Sequence, residues 1–262
     1  MQDTMFSALF GALTTEHRMN YIANNLANVN TNGYKKDQLA FKDTMSYYAH
    51  DEIREPLMTL RSQPLFPEPK NLARSRIACQ RIDFSQGAMH VTGNKLDIAI
   101  AGDGFFSVQT PTGEFFTRNG HFVNSGDGTI MTPQGWPLMG DGGPIVIPPG
   151  TRNLAIGARG EVEADGQLLG VIRLTSVDDP KKLEKMGHNL FRVKKGMSVE
   201  ENDAYAGGAR TEQGFLEKAN VEVVTEMVNM IEVNRLFEAY QKVMQTSDTV
   251  DKDAIQKVGR RA

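Results

Sequence analysis

Cysteine is all but missing from this chain. Cys79 stands alone among 262 residues, so no intrachain disulfide forms and no thiolate cluster can hold a metal. No apolar run approaches the ~18 residues needed to span a bilayer as a helix. The amino-terminal region lacks early positive charge: Arg18 is the first basic residue, and Asp3 sits where a cationic leader would begin. No Sec-type leader is visible, which predicts that the protein stays in the cytoplasm or leaves by a route that cleaves none. No charge of one sign dominates either. The 29 Lys and Arg against 32 Asp and Glu leave a net charge of −3, interspersed along the chain. That balance excludes the strong field of a nucleic-acid or membrane-surface protein.

Two long helical patterns bracket the chain. Met5, Leu9, Ala12, Glu16, Met19, Ala23 and Leu26 alternate in steps of four and three, a heptad-type seam with one polar break, in a helix expected over 3–32 with Asp3 or Thr4 as its cap. Val233, Leu236, Tyr240, Val243, Ser247, Val250 and Ala254 keep the same rhythm in a helix expected over 219–258, about 60 Å long at ~1.5 Å per residue, with Asn220 as its cap. Asn20, Asn24 and Asn28 stack on one face of the first helix beside Asn25. They read either as amides that fix register with a neighbour or as a solvated face. Thr31-Asn32-Gly33 supplies the left-handed stop. The second helix is apolar on several sides: Val221, Val224, Val228 and Ile231 form one face, and Val223, Met230, Phe237 and Met244 recur every seven. A partner helix of about thirty residues does not cover all of it, so the surplus faces either neighbouring molecules or the middle of the chain. Of thirteen methionines, Met1, Met5, Met19, Met227, Met230 and Met244 lie in these ends and Met45 at their edge. Flexible thioethers suit either plain core filling or surfaces that meet several partners.

Between the ends the periodicity changes. Residues 34–75 carry Tyr34-Lys35-Lys36, Phe41 and Met45, which allow helix to continue, and then Pro56, Pro64, Pro67 and Pro69, which forbid it; the stretch reads as an extended connector. From 76 to 215 short alternating runs lie between turn residues. Leu96–Ile100, Phe105–Val108, Phe115–Arg118, Thr129–Met131, Ile145–Ile147 and Val171–Leu174 are expected strands, with Asn119-Gly120 as a hairpin turn and Asp127-Gly128 as another. A loose echo links 128–140 to 160–170 as a shared strand–turn–strand grammar. The fold class is α+β: an antiparallel β-rich central domain flanked by terminal helices that pair as a coiled-coil-like α domain. Its expected parts are 1–33, first helix; 34–75, connector; 76–215, β-rich domain; and 216–262, second helix.

Chemistry is hard to find. His17, His50, His90, His121 and His188 are scattered, without a second ligand at metal spacing. Gly102-Asp103-Gly104-Phe105-Phe106-Ser107 lacks the third glycine and the helix start of a dinucleotide loop. Asp127-Gly128 and Asp141-Gly142-Gly143 lack the alternating oxygens of a calcium loop. No Gly-x-Ser-x-Gly elbow is present, and Glu161 and Glu163 read as solvated carboxylates on one strand face. The pattern predicts no enzyme, no metal and no cofactor.

Three strings then become informative together. Ala23-Asn24-Asn25-Leu26-Ala27-Asn28-Val29-Asn30-Thr31-Asn32-Gly33-Tyr34-Lys35 resembles the amino-terminal signature of bacterial flagellar basal-body rod and hook proteins. Gly102, Gly104, Phe105 and Phe106, followed by Thr117-Arg118-Asn119-Gly120-His121-Phe122, resemble the central motifs of that family, and Gln213–Val221 with Glu226–Ile231 resemble its carboxy-terminal signature. The signature positions are Asn25, Asn28, Thr31, Gly33, Tyr34, Gly102, Gly104, Phe105, Phe106, Arg118 and Gly120. The resemblance runs nearly end to end and is least typical over 36–75.

The resemblance implies a structural subunit of the flagellar rod, self-assembling through its ends into a torque-transmitting tube. Its partners would be other copies and neighbouring rod proteins, its route the flagellar type III export apparatus, and its site the basal body spanning the periplasm. No nucleic acid, membrane span or small-molecule substrate is implied. The short length excludes the hook protein, and details near 136–148 and 171–193 favour the proximal over the distal rod. The assembly surfaces expected are Met5, Leu9, Leu13, Met19, Asn20, Ala23, Asn24, Leu26 and Asn28 on the first helix. On the second they are Val224, Met227, Val228, Ile231, Leu236, Phe237, Tyr240 and Val243. A secreted binding module with a helical dimerisation clasp is the reading from a different class.

Overall fold

A computed structural model describes residues 2–46, 72–194, 196–197 and 201–259. The architecture is α+β, with an antiparallel β-rich body and one helix at each end of the chain. The proline-rich part of the expected connector, 47–71, lies outside the described residues. The chain divides into two compact bodies, one made of 1–23, 38–81 and 227–262, the other of 24–37 and 82–226.

The first body holds most of two helices, α1 (Gln2–Ala27) and α2 (Val223–Gly259), and two strands, β1 (Asp37–Ser46) and β2 (Leu72–Ile82), which pair as a two-stranded sheet. Helix does not continue past Tyr34; extended backbone takes over from Asp37. On α1 the buried positions are Ala8, Ala12, Thr15, Ile22 and Asn25. The Thr15 hydroxyl satisfies itself by donating to the Ala12 carbonyl at 2.8 Å. On α2, Val233 is buried and Phe237, Tyr240, Met244, Ser247 and Asp251 are the half-buried positions that follow it. The steps are again four and three, so one stripe of period 3.5 is sheltered on each helix. The stripe departs from the expected seam. Met5 and Leu9 are exposed, as are Leu236, Val243 and Val250. Small residues hold the sheltered positions of α1 where Gly11 approaches Tyr240: a Cβ at Gly11 would overlap the Tyr240 ring.

Helix α1 is shorter than expected. It ends at Ala27 and gives way to turns through Gly33, because asparagine side chains compete for backbone groups there. Asn28 Nδ2 donates to the Asn24 carbonyl at 2.9 Å, while the Asn25 side chain, still on the helix, bonds to the Asp37 backbone. Gly33 takes φ +69°, the left-handed conformation expected of it, but it closes the turns that follow Ala27 and not the helix itself. The expected cap of α2 is otherwise engaged: the Asn220 amide accepts from the Lys36 N–H at 2.7 Å and donates to the Asp83 carbonyl at 2.9 Å.

The second body is built from short strands: β3 (Met89–Val91), β4 (Ile98–Ala101), β5 (Phe105–Thr110), β6 (Gly113–Thr117), β7 (Val123–Asn124), β8 (Ile130–Met131), β9 (Met139–Gly140), β10 (Gly143–Pro144), β11 (Leu154–Ile156), β12 (Glu161–Ala164), β13 (Gln167–Val171), β14 (Leu174–Val177), β15 (Leu183–Gly187), β16 (Leu190–Val193), β17 (Glu201–Asp203), β18 (Arg210–Gln213) and β19 (Phe215–Glu217). The principal sheet runs β15-β16-β6-β5-β14-β17 with antiparallel neighbours. The two-residue strand period sends Phe105 and Phe106 to opposite faces of it. Phe106 joins Ile98, Phe122, Ile130, Leu138 and Leu174 in the main core. Phe105 joins Phe116, Leu183 and Phe191 in a second core, where Phe84 stacks edge-on at 5.6 Å.

Asn119-Gly120 is not a hairpin turn. Strand β6 pairs with β5 across Pro111-Thr112 and with β16 on its other side. Gly120 instead presents its carbonyl to the Ile98 N–H at 3.0 Å, in a space where a Cβ would strike the Ile98 carbonyl. The echo between 128–140 and 160–170 is a pair of turns between antiparallel segments: β12 and β13 meet across Asp165-Gly166, and Met131 bridges Pro137.

Candidate assembly site

Residues 24–37 fold into a knot against the β-rich body. Asn25 is buried at 3% exposure. Its Nδ2 donates to the Asp37 carbonyl at 3.0 Å, and its Oδ1 accepts from the Asp37 N–H at 3.0 Å and from the Tyr34 hydroxyl at 3.1 Å. One amide thereby closes the turn that carries the chain from helix to strand. Tyr34 lies under the Lys185 ammonium, 4.2 Å from the ring centroid, a cation–π contact that also brings Lys185 Nζ to the Lys35 carbonyl and to Asp37 Oδ2 at 2.7 Å. Burial, with Asp37 and Glu226 nearby, pushes the Tyr34 phenol up to about 12. Burial also lowers the Lys185 ammonium, opposed by its bond to Asp37.

Beside this knot sits a buried trio of charges. Lys35 Nζ meets Glu217 Oε1 at 2.6 Å, and Arg118 Nη1 meets Glu217 Oε2 at 3.2 Å, with all three side chains at most 3% exposed. Arg118 also donates to the Ile100 and Gly102 carbonyls, at 3.3 and 2.6 Å. Gly87 N–H adds a bond to Glu217 Oε1 at 2.8 Å. Burial pushes both cations below their ordinary ranges, and the Glu217 carboxylate opposes that in each. The trio explains Gly33, which packs on the Arg118 backbone where a Cβ would collide with its carbonyl.

The surfaces expected to make contacts separate into two sets. Met5, Leu9, Leu13, Asn20, Ala23 and Asn24 are exposed on α1, as are Val224, Met227, Val228, Ile231, Leu236 and Val243 on α2. Val224 reaches 70% and Ile231 53%, so the described residues leave these side chains open. Met19, Leu26, Asn28, Phe237 and Tyr240 are half-buried. Phe6 and Ile255, also exposed, extend the apolar faces beyond the residues singled out from the sequence. Most of the signature positions behave differently: Asn25, Gly33, Tyr34, Gly104, Phe105, Phe106, Arg118 and Gly120 are buried, whereas Asn28 and Thr31 are half-buried and Gly102 is exposed. Lys35 and Glu217, both within the strings that resemble the family, belong with them, but their pairing escapes sequence reading, since nothing local announces that two charges 182 residues apart meet.

Among the described residues no group of His, Cys, Asp and Glu gathers to hold a metal, and no helix is long and apolar enough to cross a membrane. Three family descriptions match successive parts of the chain: "Flagella basal body rod protein" over 10–35, "Flagellar hook protein FlgE/F/G D1 domain" over 99–164 and "Flagellar basal body rod FlgEFG protein C-terminal" over 212–257. The flagellar basal-body rod protein FlgF of Caulobacter vibrioides is 32% identical over 99% of both chains. The chain belongs to the flagellar basal-body rod protein family. Rod proteins named FlgG are similar as well, that of Buchnera aphidicola at 33% over 88% of this chain and 90% of its own, and that of Bacillus subtilis at 31% over 95% and 97%. As a rod protein the chain is a structural component of the flagellar basal body and not an enzyme. The knot and trio lie where the first and last family matches meet in space: Lys35 closes the match over 10–35, and Glu217 lies in the match over 212–257.

Proposed function

We propose that this rod protein is a proximal-rod subunit of the FlgF kind, whose two terminal helices pair as a coiled-coil-like α domain and assemble with copies and neighbouring rod proteins into a torque-transmitting tube. The observation that carries the assembly reading is the apolar surface left on α1 and α2 after each has sheltered one stripe of period 3.5. A stripe covers one partner helix; Val224, Met227, Val228 and Ile231 require others. Close approach at Gly11 and Tyr240 supports pairing of the two ends within a chain. In this proposal the helical ends, α1 and α2, build the inner layer of the tube and the β-rich part of the chain its outer layer. Delivery through the flagellar type III export apparatus is part of the same proposal.

The FlgF assignment is supported by end-to-end alignment, 99% of both chains with the Caulobacter protein, against shorter coverage with the FlgG relatives. The distal rod is the second reading, favoured by FlgG identities of 31–33%. Basal bodies purified from a deletion strain separate the two. A tube that grows outward through a proximal segment loses the distal rod protein as well when this chain is absent. Basal bodies that lack this chain yet retain the separate FlgG paralogue would contradict the proximal assignment.

A further inference from the structure

The amino-terminal string and the segment after β19 are joined backbone to backbone as well as through charge. Gly33 N–H donates to the Glu217 carbonyl at 2.7 Å, Asn220 N–H to the Tyr34 carbonyl at 3.3 Å, and Lys36 N–H to Asn220 Oδ1 at 2.7 Å. Into this pairing the Lys35 ammonium is sealed, bonded to Glu217 Oε1 and to the Ser85 carbonyl at 2.8 Å. Arg118 is held on the other carboxylate oxygen. Two buried cations thus share one buried anion, and that anion arrives from the far end of the chain. Asp83 attracts Lys35 only weakly by comparison. The bonds from Asn189 to the Asn32 carbonyl and from Lys185 to the Lys35 carbonyl and Asp37 grip the flanks of the string, but supply no anion to its inward ammonium.

We propose that Glu217 is a closure latch: residues 24–37 order against the β-rich body only when residues 217–220 are seated, because Glu217 is the carboxylate bonded to both Lys35 and Arg118. Removing one member of a buried ion pair leaves an uncompensated charge, which costs far more than the pair gains net. A chain whose carboxy-terminal segment is not in place therefore keeps its asparagine-rich string open. Once closed, the root of α1 at Ala27 and the segment leading to α2 at Val223 are fixed together. The latch acts whichever rod position the chain occupies.

Hydrogen–deuterium exchange on the full-length chain tests this. Glu217→Gln keeps the shape and the Gly87 bond while removing the charge. It is expected to speed exchange of peptides covering 24–37 by about tenfold to hundredfold, the worth of hydrogen bonds to charged groups. Peptides from β5 and β6 (105–117) are expected to stay protected. In a Lys35→Met background, where Arg118 alone faces Glu217, the same substitution is expected to change exchange of 24–37 by less than about threefold. Unchanged exchange of 24–37 in Glu217→Gln overturns the latch. So does acceleration spread equally over 105–117, or acceleration of the same size in the Lys35→Met background.

Discussion

Tyr34 is buried under Lys185 and bonded to Asn25, and its phenol is pushed up to about 12 against about 10 in an unfolded chain. Between those values the unfolded chain has lost a proton that the native one keeps, so the unfolded state binds fewer protons and stability falls as pH rises from about 10 to about 12. Tyr34→Phe is expected to cost about 1 kcal/mol at neutral pH through the lost hydrogen bond, and to remove this share of the alkaline decline. Urea unfolding curves at stepped pH check both, and an equal alkaline slope in the variant would refute the assignment. Gly33 and Gly135 form a second residue-level comparison. Both have positive φ, but a Cβ at Gly33 meets the Arg118 backbone while one at Gly135 meets nothing within 4 Å. Gly135→Ala is expected to lose about 1 kcal/mol and Gly33→Ala clearly more, since backbone strain and collision then add. Equal losses in denaturant titrations would sink that account. The left-handed turn at Gly33 was legible from glycine after Asn, although the helix it was expected to close ends earlier, at Ala27. The pairing of Lys35 with Glu217 was not, because only the fold joins them. Asn25 was legible as a signature position of the family string but not from periodicity, since the period-four stripe runs through Asn20, Asn24 and Asn28, which are exposed or half-buried.

Among elements, the two helices were readable from periodicity, and their sheltered stripes only partly. Ala12, Met19, Leu26, Val233, Tyr240 and Ser247 belong both to the expected seam and to the sheltered or half-buried positions. The expected seam otherwise followed large apolar residues, whereas the observed stripe on α1 favours small ones: Ala8, Ala12 and Thr15 are buried around Gly11. Size complementarity across an approach is invisible when only one helix is read at a time. Gly11→Leu is expected to drive the Tyr240 ring out and lower the helix content of the ends, measured by far-ultraviolet circular dichroism, although leucine is intrinsically the better helix former by close to 1 kcal/mol. Adding Tyr240→Ala to the same chain is expected to restore much of it. A Gly11→Leu chain with higher helicity and no response to Tyr240→Ala would contradict pairing at this point. Strand existence in the middle was legible from alternation at Leu96–Ile100 and Phe105–Val108. The Asn119-Gly120 turn misled because burial of Arg118, set by a distant Glu217, dictates the path there.

For the whole molecule, the central claim is that apolar residues left exposed on the terminal helices build the rod. Val224 and Ile231 are 70% and 53% exposed, so polar replacements there leave the isolated chain nearly unchanged, within about 0.5 kcal/mol. The same replacements place charges into an assembled, desolvated interface, where an unpaired charge is strongly unfavourable. That separates assembly from folding, which deletion of either end does not. The fold class and the family were legible from strings and periodicity, while the division of the signature residues into an internal knot and the helices into outward faces required the packed chain. The decisive measurement is incorporation of a Val224→Asp/Ile231→Asp chain into purified basal bodies, read beside its urea unfolding curve. An unfolding curve close to that of the unsubstituted chain with incorporation and motility lost is the result expected; normal incorporation with normal motility would contradict the claim.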